Sequence, residues 1–146
     1  MDSTQHVVCP HCQTTNRVPL GRRDVTLNCG RCHAALFDGH PMAANAPQFD
    51  AHLSRNDVPV VVDFWAPWCG PCRTMAPVFE LVTQALEPYA RFLKVNTEEV
   101  PALGARYNIR SIPTLMVFKG GKEIARQAGA MPAAALRQWV ERAIGP

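Results

Sequence analysis

No apolar run in this 146-residue chain reaches 18 residues, so no segment reads as a transmembrane helix. The first ten residues have no basic cluster followed by an apolar stretch, so no secretory leader is expected and the cytoplasm is the expected compartment. Excess charge of one sign is also scarce. Fifteen Lys and Arg against twelve Asp and Glu leave a scattered formal +3, which is no footprint for nucleic acid. Internal repeats and low-complexity tracts are absent, and 47% apolar residues is a globular composition rather than a disordered one. The first 40 residues contain neither Trp nor Tyr, and their long side chains are mostly arginines (Arg17, Arg22, Arg23 and Arg31). A segment of about 40 residues rarely buries enough apolar surface to fold without a metal or disulfides.

What the chain does have is cysteine. Six are present, in three C-x-x-C pairs: Cys9/Cys12, Cys29/Cys32 and Cys69/Cys72. Sixteen residues separate the first pair from the second, a spacing that matches four-cysteine zinc sites. Each pair can place two thiolates on one tetrahedral ion. Strand-like stretches at Val7-Val8, Arg17-Val18, Val25-Thr-Leu27 and Ala35-Leu-Phe37 suggest a zinc ribbon, and the arginines can offset the net charge of a tetrathiolate ion. Two other arrangements compete. Cys9-Pro-His-Cys12 could be a second redox dithiol, although no helix pattern follows it, and the four cysteines could form two disulfides, which a reducing cytosol disfavours. His11 and His33 adjoin the pairs and read as solvated loop residues before ligands, while His6, His40 and His52 have no constellation around them.

Residues 41–146 form a second unit of different character, so the expected division is 1–40 and 41–146. Val58 to Trp65 is a nearly continuous β-branched run, as in a strand buried on both faces. Met75, Val78, Phe79, Val82, Ala85 and Leu86 then recur at helical spacing. Further strands are expected at Arg91–Asn96, Thr114–Lys119 and Glu123–Gln127, the last two joined as a hairpin by Gly120-Gly121. Pro132–Ile144 reads as a closing helix with Pro132 in its first turn. The join from His40 to Pro47 is a linker or, in its first part, a short edge strand. This alternation predicts an α/β fold with helices around a mixed sheet.

The third cysteine pair sits between the buried strand and the helix. Pro71 suits a first helical turn, which puts Cys69 at the helix N-terminus, where free N–H groups favour a thiolate. Cys72 falls one turn in and is expected to be the less exposed, so Cys69 is the attacking nucleophile and Cys72 the resolving thiol. The same pair could be half of a metal site, but the strand–turn–helix setting argues against that. Asp63, six residues before Cys69 in an otherwise apolar strand, should have a raised pKa and serve as a proton acceptor. A structural buried ion pair is its alternative role.

Asp63-Phe-Trp-Ala-Pro-Trp-Cys-Gly-Pro-Cys72 closely resembles the active-site segment of thioredoxins. The likeness continues through Lys94-Val-Asn-Thr97 and Ile109-Arg-Ser-Ile-Pro-Thr114 to Gly129. Together with the four early cysteines, it makes the whole chain similar to the thioredoxin 2 subgroup, which carries an N-terminal zinc segment. The resemblance implies a thioredoxin fold, a cis bond at Ile112–Pro113 facing the dithiol, Lys94 beside Asp63, and Asp63 assisting deprotonation of Cys72. It implies an apolar platform for client proteins made by Trp68, Gly70, Pro71, Ile112, Pro113 and Ala130, with Trp65 packed behind the site. Two positions depart from the family pattern: Asn96 stands where an acid is frequent, and Asn108 where glycine is common.

The activity implied is general protein-disulfide reduction supporting cell redox homeostasis and electron transport, by a monomer without an organic cofactor. Implied partners are an NADPH-dependent thioredoxin reductase and clients such as ribonucleotide reductase, methionine sulfoxide reductase and peroxiredoxins. Gly70-Pro71 points to the reducing end of the potential scale, about −270 mV rather than roughly −120 mV. A disulfide oxidase or isomerase and a zinc-ribbon adaptor are the competing functions. The zinc either folds the ribbon or senses oxidation.

Overall fold

A computed structural model describes residues 3–19 and 27–145. Val25 and Thr26 of the expected strand Val25–Leu27, together with Arg22 and Arg23, lie outside the described residues. The N-terminal part contains an antiparallel pair, β1 (Thr4–Val8) and β2 (Thr15–Pro19). A second hairpin is closed by the bridge Asn28–Ala35. Its core is small: Val7, Cys9, Val18, Cys29 and Leu36 are buried, with Leu27 and Phe37 packed against them.

The remainder contains β3 (Met42–Ala43), α1 (Ala46–Arg55), β4 (Val60–Trp65), α2 (Gly70–Leu86), β5 (Arg91–Asn96), α3 (Pro101–Arg106), β6 (Thr114–Lys119), β7 (Lys122–Ala128) and α4 (Ala133–Ile144). One five-stranded sheet runs β3-β5-β4-β6-β7. β3, β5 and β4 are parallel, and β6 and β7 antiparallel. β3 is thus the edge strand left open in the reading of His40–Pro47. The tight β6–β7 turn uses Gly120 and Gly121 at φ of 59° and 79°, a conformation glycine adopts at little cost.

β4 is apolar throughout because both of its faces are covered. Val60, Val62 and Phe64 face α1 and α3 in one cluster with Phe49, Leu53 and Leu103. Val61 faces α2 and α4 in another with Phe79, Val82, Leu136 and Val140. Strand periodicity puts Asp63 on the Val61 side, under α2. Sequence inspection missed α1, although its signal was present: Asn45 caps it and forms a capping box with Gln48, and a proline follows in the first turn. In α4, Pro132 is the N-cap rather than a residue of the first turn. No helix among the described residues is long and apolar enough to cross a membrane.

Candidate functional site: a dithiol and a four-cysteine cluster

The dithiol site is built where β4 ends and α2 begins. Cys69 is the N-cap of α2, and its Sγ accepts the Cys72 N–H at 3.2 Å. The two cysteines are disulfide-bonded, with Cα atoms 5.2 Å apart. Cys72 is the less exposed, as expected, but by a narrow margin, since Cys69 is 4% and Cys72 2% accessible in the bonded state. Capping geometry separates them more clearly. The sulfur of Cys69 lies at the positive end of the helix and Cys72 is in the first turn.

The segment before β6 closes over the sulfur. The Ile112–Pro113 bond is cis, as is Glu87–Pro88, which was not anticipated. The Ile112 carbonyl oxygen stands 3.7 Å from Cys69 Sγ. Trp68 is 63% exposed beside it, a large aromatic left in solvent. Gly70, Pro71 and Ala130 are exposed, Ile112 is half-buried and Pro113 is buried. A groove of about 590 Å³ bordered by Trp68, Thr97, Ser111 and Ile112 runs along this platform. Trp65 and Ile112 pack on the cluster of Ala66, Cys69 and Cys72, so Trp65 sits behind the site. Asn108 adopts φ 54°, a left-handed conformation that suits glycine and that Asn tolerates better than most side-chain-bearing residues. Asn96 uses its side chain to accept the Glu98 N–H at 3.0 Å, a local turn bond.

Asp63 is 1% exposed, and neither carboxylate oxygen has a hydrogen-bond partner. Burial raises its pKa to about 7, against a smaller opposing pull from Lys94. Lys94 is its register partner on β5, with its ammonium 4.6 Å from the centre of the Trp65 ring. A carboxyl that ionises near 3.8 when unfolded and near 7 when folded stabilises the native state at low pH, and this contribution is lost as pH rises towards 7. We therefore expect Asp63→Asn to match the wild type in urea at pH 4 and to be the more stable protein at pH 8. The ceiling on that gain is about 4 kcal/mol. An equal difference at both pH values would mean that ionisation of Asp63 is not the cause.

The other four cysteines converge. Their Sγ atoms all lie within 4.8 Å of one another. Cys9 and Cys32 are 3.6 Å apart, as are Cys12 and Cys29. Sulfurs on a tetrahedral zinc with bonds near 2.3 Å are separated by about 3.8 Å, so this donor set fits such an ion. The two knuckles repeat one geometry. Cys9 Sγ accepts the His11 N–H at 3.3 Å, and Cys29 Sγ accepts the Arg31 N–H at 3.4 Å. Gln13 and His33, each just after a knuckle, both take left-handed φ angles of 63° and 67°. Neither His11 nor His33 joins the cluster.

Arg17 and Arg31 are exposed, and a buried cation, Arg91 from β5, also lies beside the ribbon. One expectation about this region needs correction. His52, read as having no constellation, is fully buried between Gln13 Oε1 and Asn56 Nδ2, each 2.8 Å away. Burial lowers its pKa to about 3 and keeps it neutral, and burial also raises Glu87, nearby at the end of α2, to about 7. Local spacing in the sequence could show the pairs His52–Asn56 and Glu87–Arg91, four residues apart, but not the contacts with Gln13 and Val8, which lie 39 and 83 residues away.

Comparison with known proteins agrees with this geometry. The thioredoxin family profile matches residues 40–142, and the profile described as the N-terminal part of thioredoxin 2 matches residues 8–34. Thioredoxin C-3 of Corynebacterium nephridii is 43% identical over 136 residues, covering 93% of either chain. Thioredoxin 1 of Nostoc sp. is 50% identical over 94 residues, covering 64% of this chain and 88% of its own. Among solved structures, a mutant thioredoxin from Halobacterium salinarum aligns with a TM-score of 0.67 and 30% identity, over 74% of this chain and 94% of that one.

Proposed function

The chain belongs to the thioredoxin family and is a protein-disulfide reductase, and from that premise we propose how its residues divide the work. The Cys69 thiolate attacks one sulfur of a client disulfide. The client S–S bond breaks, one client thiolate leaves and takes a proton, and Cys69 is held in a mixed disulfide. Asp63 accepts the proton of Cys72. The Cys72 thiolate then attacks Cys69 Sγ, forms the Cys69–Cys72 bond and releases the second client thiolate. Two electrons pass from the dithiol to the client. Lys94 modulates the charge on Asp63, and Trp68, Gly70, Pro71, Ile112, Pro113 and Ala130 offer an uncharged surface to clients of varied sequence.

An NADPH-dependent thioredoxin reductase returns the dithiol to its reduced form. The clients belong to the class of ribonucleotide reductase, methionine sulfoxide reductase and peroxiredoxins, in the cytoplasm. Residues 1–40 form the metal-holding unit and 41–146 the redox unit, with Cys9, Cys12, Cys29 and Cys32 carrying one zinc. The observation that carries the redox assignment is the capped sulfur of Cys69 lying 3.7 Å from the Ile112 carbonyl beside Pro113.

The test is insulin reduction driven by NADPH and thioredoxin reductase, combined with metal and thiol counts on the reduced protein. Turnover with one zinc and two readily titrated thiols per chain is expected. No turnover, or six free thiols with no metal, would overturn the corresponding half of the proposal.

A further inference from the structure

Arg91 opens β5 of the central sheet, yet its side chain serves the ribbon. It is 1% exposed, and its Nη2 donates to the Val8 carbonyl at 2.9 Å and the Leu36 carbonyl at 2.8 Å. The Phe37 ring stacks 4.5 Å from the guanidinium, and Glu87 approaches at 3.7 Å while accepting the Gly39 N–H at 2.8 Å. Val8 precedes Cys9. Leu36 closes the hairpin that carries Cys29 and Cys32, through its N–H to the Leu27 carbonyl. Among the described residues these two hairpins share no strand pairing. Besides the sulfur contacts, a polar link of their own is Asn16, which accepts the Gly30 N–H at 2.8 Å and reaches Cys29 Sγ at 3.5 Å. One guanidinium from the other unit therefore ties together the two halves of the four-sulfur site.

The end of α1 also grips the first knuckle. Asn56 Oδ1 accepts the Val8 N–H at 2.7 Å. His52 meets Gln13 at 2.8 Å, and Arg55 donates to the Gln13 carbonyl at 2.9 Å and to Thr15 Oγ1 at 2.8 Å. Val8 and Gln13 flank Cys9 and Cys12, so both ends of the knuckle are anchored outside the ribbon.

We propose that Arg91 and the C-terminal end of α1 are the outer shell of the metal centre, so that the thioredoxin unit sets how long the ribbon keeps its ion. The proposal rests on the reading that the four cysteines hold a metal. A four-sulfur site needs its two hairpins at fixed separation, and groups that orient ligands typically matter by roughly 10–100-fold in metal affinity. A divalent ion with four thiolates carries two net negative charges, and Arg91 is the buried cation placed beside them. By linkage, the ion strengthens docking as much as docking strengthens retention of the ion.

The test uses the full-length, zinc-loaded protein and measures zinc transfer to a chelating dye under reducing conditions. Arg91→Met should release zinc about tenfold faster than wild type or more, equivalent to about 1.4 kcal/mol. Arg91→Lys keeps the charge but cannot span two carbonyls, and should fall between the two. Arg55→Ala removes only exposed bonds and should speed release about twofold. Arg126→Ala, which loses bonds to Glu123 and the Tyr107 carbonyl far from the ribbon, should not change it. Insulin reduction should be the same for all four, because none touches the dithiol. Wild-type release from both Arg91→Met and Arg55→Ala would overturn the proposal, and so would equal acceleration in Arg126→Ala. If Arg91→Met does not fold, the Arg55→Ala rate decides. A wild-type chain that takes up no zinc would remove the metal reading itself, and this inference with it.

Discussion

Cys69→Ser is expected to lower insulin reduction to below about a thousandth of wild type, because a serine hydroxyl at the helix N-terminus stays protonated and cannot attack sulfur. Cys72→Ser should fail differently. Its Cys69 still attacks, so a single equivalent of client is captured and a mixed disulfide accumulates that non-reducing electrophoresis resolves as a covalent adduct. The asymmetry follows from capping: Cys69 Sγ accepts the Cys72 N–H at 3.2 Å at the start of a 17-residue helix. The donated hydrogen bond and the helix dipole both stabilise negative charge on that sulfur. Adduct formation by Cys69→Ser, with none by Cys72→Ser, would reverse the two roles.

The second large effect concerns the ribbon. Among the described residues its buried core cluster has five members, against eleven in each of the two clusters that flank the central sheet. So small a core cannot offset the entropy of ordering the segment. Apparent binding energies of structural zinc, about 10–16 kcal/mol in small peptides, are far larger than anything this core supplies. Stripping the metal, or replacing Cys29 with serine, should abolish hydrogen-exchange protection at the amides of β1 and β2. The amides of β4, β5 and β6 should keep theirs. Insulin reduction should persist, since among the described residues none of the ribbon touches the dithiol. Protected β1 and β2 amides in the metal-free protein would mean that the docking contacts alone hold the ribbon.

Much of this protein was legible because its decisive features are local. The run from Val58 to Trp65 is apolar on both faces because helices cover both faces, and a strand with that pattern has few other places to sit. The dithiol needed only a strand, a turn and Pro71 in a first helical turn. The knuckles needed only C-x-x-C twice at a workable distance. Where the reading failed, the pattern was short or the partner remote. α1 is ten residues long and its capping box was passed over. Arg91 is the first residue of a strand, as expected, but its role as a buried clamp on the ribbon left no local signal.

Spacing within short segments was thus enough to divide the six cysteines into a bonded pair and a cluster of four, because a knuckle and an N-cap are made by residues within one turn of each other. Tertiary structure alone decided how the two groups are arranged. It brings Ile112 to Cys69 across 43 residues, Arg91 to Val8 across 83 and His52 to Gln13 across 39. It also buries Asp63 with both carboxylate oxygens unpartnered. These are contacts between distant segments, and their strength comes from water excluded when the sheet, helices and ribbon close on one another. No periodicity or spacing records that event.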